Sequence, residues 1–515
     1  MNEFIKQNRE FWSQFKIKNG DKKLLIEEPG RVMIVHLNAI FAMIINQARG
    51  YVPVWLCEDK FKDFKLLRSY FPDIEIIVFA KNSLVRKLRK LYAIITAITK
   101  FPKIYFTKNI LEFCYDKVKY GDILYDSYLH ENRVATIKKI DYKLLKLSAI
   151  CIFRHLTIKG VLKRGDYAGV LVSHMVGIES GVMLRTALRY GYEVYLRTGH
   201  HVSRLQRLKG IEEAYDYPTK ATPTEIDGII AQLGSKLEEK FSETLQKEVS
   251  GRGNPNSLRA FSGENRHYSD RESFNKKYKL DPNKKNVFVM LHVFNDHPHS
   301  HFHWMLFRDY YDWFVQTLNF AKKNNRVNWI FKQHPSVRNY VTKDVCIDNL
   351  FSNCPDHIVY INEDNQIDTR SLVCCADLVV TCLGSSGFEL PAMGAIPSLV
   401  AGDNPYTDLG FTLEPKTKKE YFEILNVAEK IKKLGIETQK RAMATFIFVY
   451  QVSNVNISAC PILTEFQERD NDINQEYWNY VLDLYSTKKE IILNELNQYI
   501  CAVADLNFKK LTSEI

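Results

Sequence analysis

The sequence predicts an α/β protein with two Rossmann-like, doubly wound domains and a helical C-terminal region. Three observations carry that expectation. Short β-branched runs alternate with segments of helical periodicity, the order expected of parallel βαβ units. The alternation starts afresh after a stretch poor in aliphatic residues. The 515 residues, 45% hydrophobic and 25% charged, suffice for two or three domains with large cores.

In chain order, "RVMIVHLN" (Arg31 to Asn38) reads as a strand, "AIFAMIINQARG" as a helix ending at Gly50, and "YVPVWLC" (Tyr51 to Cys57) as the next strand. "DIEIIVFA" repeats the strand pattern around Ile76, and Tyr167 to Arg197 holds a second strand, helix and strand. Residues 251–285 are rich in Gly, Asn, Ser and charge and read as a linker or mobile loop. A new series begins with "NVFVMLHVF" (Asn286 to Phe294). It continues through the helix "RDYYDWFVQTLNFAKKN", the strands "VNWIFKQHP" and "HIVYI", the helix "TRSLVCCA", the strand "LVVTCL", the helix "GFELPAMGA" and the strand "IPSLVA". Tyr310, Trp313, Phe314 and Leu318 recur at helical spacing and read as core. The expected division is an N-terminal Rossmann-like domain over 1–250, a linker over 251–285, a C-terminal Rossmann-like domain over 286–425 and a helical region over 426–515.

Composition narrows the function classes. A net charge of +11 suits a phosphorylated or anionic-lipid partner, but it is spread too evenly for a nucleic-acid-binding protein. Ten cysteines lack metal-ligand spacing, and the adjacent pair Cys374 and Cys375 lies in an apolar segment, as buried thiols do. With no apolar signal segment in "MNEFIKQNREFWSQFK", a reducing cytoplasmic setting is expected. The nearest approach to a membrane span, Leu144 to Leu162, is interrupted by Lys146, Arg154, His155 and Lys159 and reads as a basic amphipathic or buried helix.

Two strand exits in the second series carry chemistry. In an open parallel sheet, ligands bind beyond the carboxyl ends of the strands. "FKQHPSV" puts Lys332 and His334 at one such end, and "CLGSSGFELPAMGAIP" puts Ser385, Ser386, Gly387 and Glu389 at another. A serine capping the helix that begins near Phe388 leaves backbone N–H groups facing solvent with the helix dipole behind them, which makes an anion site. Lys332 would add a fixed charge and His334 a donor able to neutralise a departing phosphate, while Glu389 could accept ribose hydroxyls. The plainer alternative is a loop proline and an ordinary helix cap.

"KQHPS" followed by "SSGFELPAMGAIPSLVAG" resembles the C-terminal domain of GT-B glycosyltransferases, in particular bacterial capsule and surface-polysaccharide enzymes of the Kdo-transferase and sialyltransferase type. "GDNPYTDLGFT" (Gly402 to Thr412) is similar to the segment that follows in Kdo transferases. The resemblance covers Lys284 to Pro415. It implies two Rossmann-like domains facing a cleft, with His334, Pro335, Ser385 and Ser386 gripping the nucleotide phosphate of a CMP-sugar. It further implies a nucleotide-sugar donor as substrate with no separate cofactor and no obligatory metal, and a glycan or lipid-linked acceptor. The basic excess and the amphipathic C-terminal tail are compatible with a cytoplasmic enzyme that docks peripherally at the inner membrane, or with a solvated face. The acidic pair followed by glycine that sialyltransferases carry in their first domain is absent.

In that arrangement the general base comes from the first half. "YGDILYDSYLHEN" (Tyr120 to Asn132) offers Asp126 as base, with His130 and Glu131 toward the acceptor, and "SHMVGIESG" offers Glu179 as a rival base with His174 beside it. A helix cap followed by a solvated face is the alternative for the first segment. In "HVFNDHPHSHFHW", alternate histidines at 297, 299, 301 and 303 would line one face if extended and bind a transition metal, but a loop near the sugar phosphate fits the Pro and Ser better. Rival readings in the same fold are a CDP-glycerol glycerophosphotransferase and a UDP-sugar 2-epimerase. A non-catalytic nucleotide- or glycan-binding scaffold is the rival from another class.

Overall fold

Each half of the chain is built around one six-stranded sheet, and the two sheets share one strand order. The first contains β1 (Lys23–Glu27), β2 (Val52–Cys57), β3 (Glu75–Val78), β4 (Tyr167–Val172), β5 (Glu193–Thr198) and β6 (Arg204–Leu208), in the order β3-β2-β1-β4-β5-β6. Only β6 runs antiparallel to its neighbour. The second contains β7 (Asn286–Met290), β8 (Asn328–Lys332), β9 (Ile358–Ile361), β10 (Leu378–Thr381), β11 (Ser398–Val400) and β12 (Thr412–Leu413). It is wholly parallel in the order β9-β8-β7-β10-β11-β12. Counted within each sheet, both read 3-2-1-4-5-6, the Rossmann order, with a topological switch point beside the first strand. Two such sheets in one chain, with helices at the C-terminal end, are the make-up of the GT-B fold class.

The computed structural model describes residues 2–27, 32–57, 64–78, 83–199, 203–251, 258–261, 266–301, 303–461 and 475–515. It divides into one unit of Met1–Tyr125, Ile140–Pro218 and Ser453–Glu514 and a second of Asp126–Lys139, Thr219–Val452 and Ile515.

The strands of the second sheet are nearly continuous apolar runs because helices cover both faces. Val287 and Val289 of β7 point into a cluster with Trp313 and Phe314 of the helix Tyr310–Ala321. Phe288, one residue out of phase, joins Phe274, Ile330 and Leu372 on the opposite face. Period two along the strand thus feeds two different cores.

Four sequence expectations change. "RVMIVHLN" is not a strand: apart from Arg31, which lies outside the described residues, it forms the first turns of the helix Val32–Arg49, and the first strand is "KLLIE" before it. That helix buries Val35, Leu37, Ile40, Phe41 and Ile44 together, so it is apolar almost all round, and a short apolar run of this kind has no period that separates helix from strand. The stretch 251–285 is not merely a connector. Parts of it (252–257 and 262–265) lie outside the described residues, but the helix Arg271–Tyr278 buries Phe274 against β7. Thr219 to Val249 belongs to the second unit rather than the first. The C-terminal helices divide as well: Ile436–Ile447 packs in the second unit, whereas Gln475–Thr487 and Lys489–Ala504 return to the first. There the Trp478 ring lies 4.1 Å from that of Phe4, and Tyr485 stacks on Phe11 at 4.0 Å.

Candidate nucleotide-phosphate site of the second unit

The switch point of the second sheet lies between β7 and β10, and a cavity of about 330 Å³ opens there. Its walls include His292 after β7, Lys332 at the end of β8 with His334 beyond it, and Ser385, Ser386 and Glu389 after β10. The two stretches singled out in the sequence therefore meet in one place, because β8 and β10 flank β7 on either side.

His292 holds the switch point together. Its Nε2 accepts the N–H groups of Cys382 and Leu383, each at 3.1 Å, and lies 3.1 Å from the Thr381 hydroxyl, while the ring stacks on Tyr310 at 4.5 Å. A ring nitrogen that accepts N–H groups carries no proton, so the imidazole is neutral with its proton on Nδ1. Burial, aided by His334 nearby, pushes its pKa down to about 3. The sequence carried a signal for this residue, a histidine directly at a strand exit, but the alternating histidines after it drew the reading away.

Lys332 ends β8 with its side chain 3% exposed. Its ammonium donates to Gln366 Oε1 at 2.8 Å, and burial pushes its pKa down to about 8 even though Glu389 and Asp368 pull the other way. Next along, His334 accepts the Ser336 N–H on Nδ1 at 3.0 Å, so the neutral ring keeps its proton on Nε2. Pro335 lines the cavity beside it.

On the other wall the nine-residue helix Ser386–Gly394 begins. The N–H groups of Cys382 and Leu383 are taken by His292, that of Gly384 by Thr381 Oγ1, and that of Gly387 by the Gly384 carbonyl. An anion at this helix start would therefore use Ser385 and Ser386, and Gly387 contributes no donor. Gly387 is instead a packing position: a Cβ there would sit 2.2 Å from the Tyr406 hydroxyl, which donates to the Gly384 carbonyl at 2.6 Å. Glu389 is buried, accepts a hydrogen bond from the Tyr450 hydroxyl and is also bonded by Ser385. Burial raises its pKa, against the pull of Tyr450, Ser385 and Lys332. Gln366 and Tyr450 carried no local signal, since each reaches the site from a distant segment.

Asp126, His130 and Glu131 belong to the second unit, not to the N-terminal half in which the sequence placed them. The Asp126 carboxylate is fully buried. One of its oxygens accepts the N–H groups of His299 and Ser300 at 3.1 and 2.7 Å and the Ser300 hydroxyl at 2.6 Å. Three donors from one loop make this carboxylate a brace for that loop. His130 and Glu131 are exposed at the end of the helix Gly121–Asn132, with the His130 ring stacked 5.3 Å from that of His297. The histidine-rich segment forms turns rather than an extended strand, and His299 gives its ring Nε2 to the Arg308 carbonyl. Among the described residues, no group of three or more His, Cys, Asp or Glu is set to hold a metal ion.

In the first unit, Glu179 and His174 follow β4 at that sheet's own switch point. Glu179 is exposed on the turn Gly177–Gly181, and His174, half-buried, accepts the Met175 and Val176 N–H groups on Nδ1 at 3.0 and 3.3 Å. Buried Glu27 at the end of β1 holds this turn by accepting the Ser173 N–H at 3.1 Å and the Ser180 hydroxyl at 2.9 Å, with Arg154 3.8 Å away.

No family model matches the chain, and no curated protein matches it. Among solved structures, the beta-Kdo 2,4-transferase KpsC of Thermosulfurimonas dismutans aligns over 62% of this chain and 88% of that one, at 10% identity and a TM-score of 0.31. S. aureus MnaA in its structure with UDP aligns over 83% and 92%, at 10% identity and a TM-score of 0.26. The UDP-GlcNAc 2-epimerase of Neisseria meningitidis bound to UDP-GlcNAc aligns over 92% and 100%, at 11% identity and a TM-score of 0.21. The fold assignment rests on the strand order of the two sheets, and the site on its own geometry.

Proposed function

We propose that the protein is a GT-B glycosyltransferase that moves a sugar from a nucleotide donor, a CMP-linked acidic sugar, to a bacterial surface polysaccharide or lipid-linked glycan. The observation that carries this reading is Lys332, a buried ammonium on the wall of a switch-point cavity whose nearest partner is a neutral amide. An anion in the cavity adds to the pull of Glu389 and Asp368 and offsets the burial that disfavours the ammonium.

Charge favours a donor with a single phosphate. Lys332 is the sole Lys or Arg among the described residues lining the cavity. A CMP-sugar phosphodiester carries a single negative charge and gains a second as CMP departs. Lys332 and the N–H groups of Ser385 and Ser386 meet the first, and the Nε2–H of His334 meets the second. The rest of the cavity wall, including Phe261, Thr369 and Glu389, is left for nucleoside and sugar. Glu179, exposed at the switch point of the first sheet, is the proposed base for the acceptor hydroxyl, since Asp126 is spent on its loop.

Thermal unfolding with CMP, CDP, UDP and GDP tests the donor class, because a ligand that binds only the native state stabilises it by about 2.7 kcal/mol at a hundredfold excess over its Kd. CMP should stabilise most, and Lys332→Met should abolish the effect. A preference for UDP would favour a hexosyltransferase or an epimerase, and no response to any nucleotide would overturn the site itself.

A further inference from the structure

The helix Leu84–Thr107 of the first unit runs for 24 residues, about 36 Å, and is apolar on the side that faces away from the protein. Leu84, Leu88, Leu91, Ile95 and Ile98 follow one another at alternating intervals of four and three residues, which places them along one stripe. Near the end of the helix, Phe106 continues it. These six side chains are between 52% and 79% exposed. The opposite face is the buried one: Ala93, Ala97 and Ile104 are its buried residues, on a helix that packs against the helix Tyr142–Leu162. More large apolar side chains face outward than inward, against the pattern of an ordinary surface helix, and a contiguous apolar patch of this size marks a docking surface.

We propose that this helix is the surface by which the protein lies on an anionic lipid bilayer. Charge selects the occupant. Lys87 and Lys90 border the apolar stripe on one side and Lys103 on the other, and the segment from Leu84 to Lys108 contains no Asp or Glu. Basic residues bordering an apolar face suit a helix lying in the interfacial plane, its apolar side about 5–10 Å into the headgroup boundary and its cations among anionic headgroups. A second copy of the chain would bring the same cations against themselves, a like-charge contact that costs free energy. No helix among the described residues is long and apolar enough to cross a membrane, so the association is in-plane. The inference stands on this helix alone and does not depend on the donor site.

Vesicle flotation with the full chain tests it, comparing vesicles of phosphatidylcholine with vesicles that also contain phosphatidylglycerol. The protein should float with the anionic vesicles, and salt should weaken the binding. Leu88→Glu with Ile95→Glu should abolish flotation while the far-ultraviolet circular dichroism and the thermal midpoint stay at wild-type values, because both side chains are exposed. Lys87→Gln and Lys90→Gln should each lower the partition coefficient about fivefold. Wild-type protein that ignores anionic vesicles, or a glutamate variant that still floats, would overturn the proposal. So would a dimer, seen by light scattering, that the glutamate substitutions dissolve, since that result assigns the stripe to a second copy.

Discussion

The ammonium of Lys332 donates a 2.8 Å hydrogen bond to the amide oxygen of Gln366, so a buried cation faces a neutral partner on the wall of the cavity. Its pKa of about 8, against an ordinary 10.5, follows from burial. The folded state holds the proton more weakly than the unfolded state does. Stability should therefore rise as pH climbs from about 8 to about 10.5, by an amount on the order of 3 kcal/mol, and be lower below that window. A bound phosphate reverses the shift, so nucleotide affinity should fall as pH rises through 8. Calorimetric titration near pH 8 in two buffers of different ionisation enthalpy should show proton uptake on binding, and Lys332→Met should remove it.

His334 offers a second test. With Nδ1 accepting the Ser336 N–H, the ring's donor is Nε2, which a glutamine amide can mimic in position but not in acidity. His334→Gln should hold CMP within about tenfold of wild type yet lower turnover by about 10²- to 10⁴-fold, the range for losing a proton donor. Equal losses in binding and turnover would mean that the ring serves only to hold the donor.

Two carboxylates should part company under substitution. Asp126→Asn leaves the loop at His299 and Ser300 without a charged acceptor and should lower unfolding stability by about 1–3 kcal/mol, with turnover per folded molecule nearly kept. Glu179→Gln, at an exposed position, should do the reverse. Denaturant titration and an acceptor-dependent transfer assay on both variants separate the roles.

Gly387→Ala should cost stability rather than affinity alone. The added methyl would sit 2.2 Å from the hydroxyl and 2.7 Å from the ring of buried Tyr406, and relieving the clash would move a side chain that also holds the Gly384 carbonyl. A loss of about 1–3 kcal/mol in denaturant unfolding is expected. A neutral result would show that the turn yields easily.

The sequence by itself determined the class of fold and the two strand exits that meet at the cavity. Strands end where an apolar run ends, which is a local property, so the exits that carry Lys332, His334, Ser385 and Ser386 could be read from the chain. The Rossmann order then brings those exits to one switch point. Tertiary packing decided the rest. A helix buried nearly all round, such as Val32–Arg49, has no polar face to reveal its period. The role of Asp126 follows from a loop that arrives from far along the chain, and that of Gly387 from Tyr406 across a turn. The outward face of Leu84–Thr107 is legible only once Ala93 and Ala97 are seen to be the side that packs, because spacing shows that a helix has faces but only its neighbours decide which one is covered.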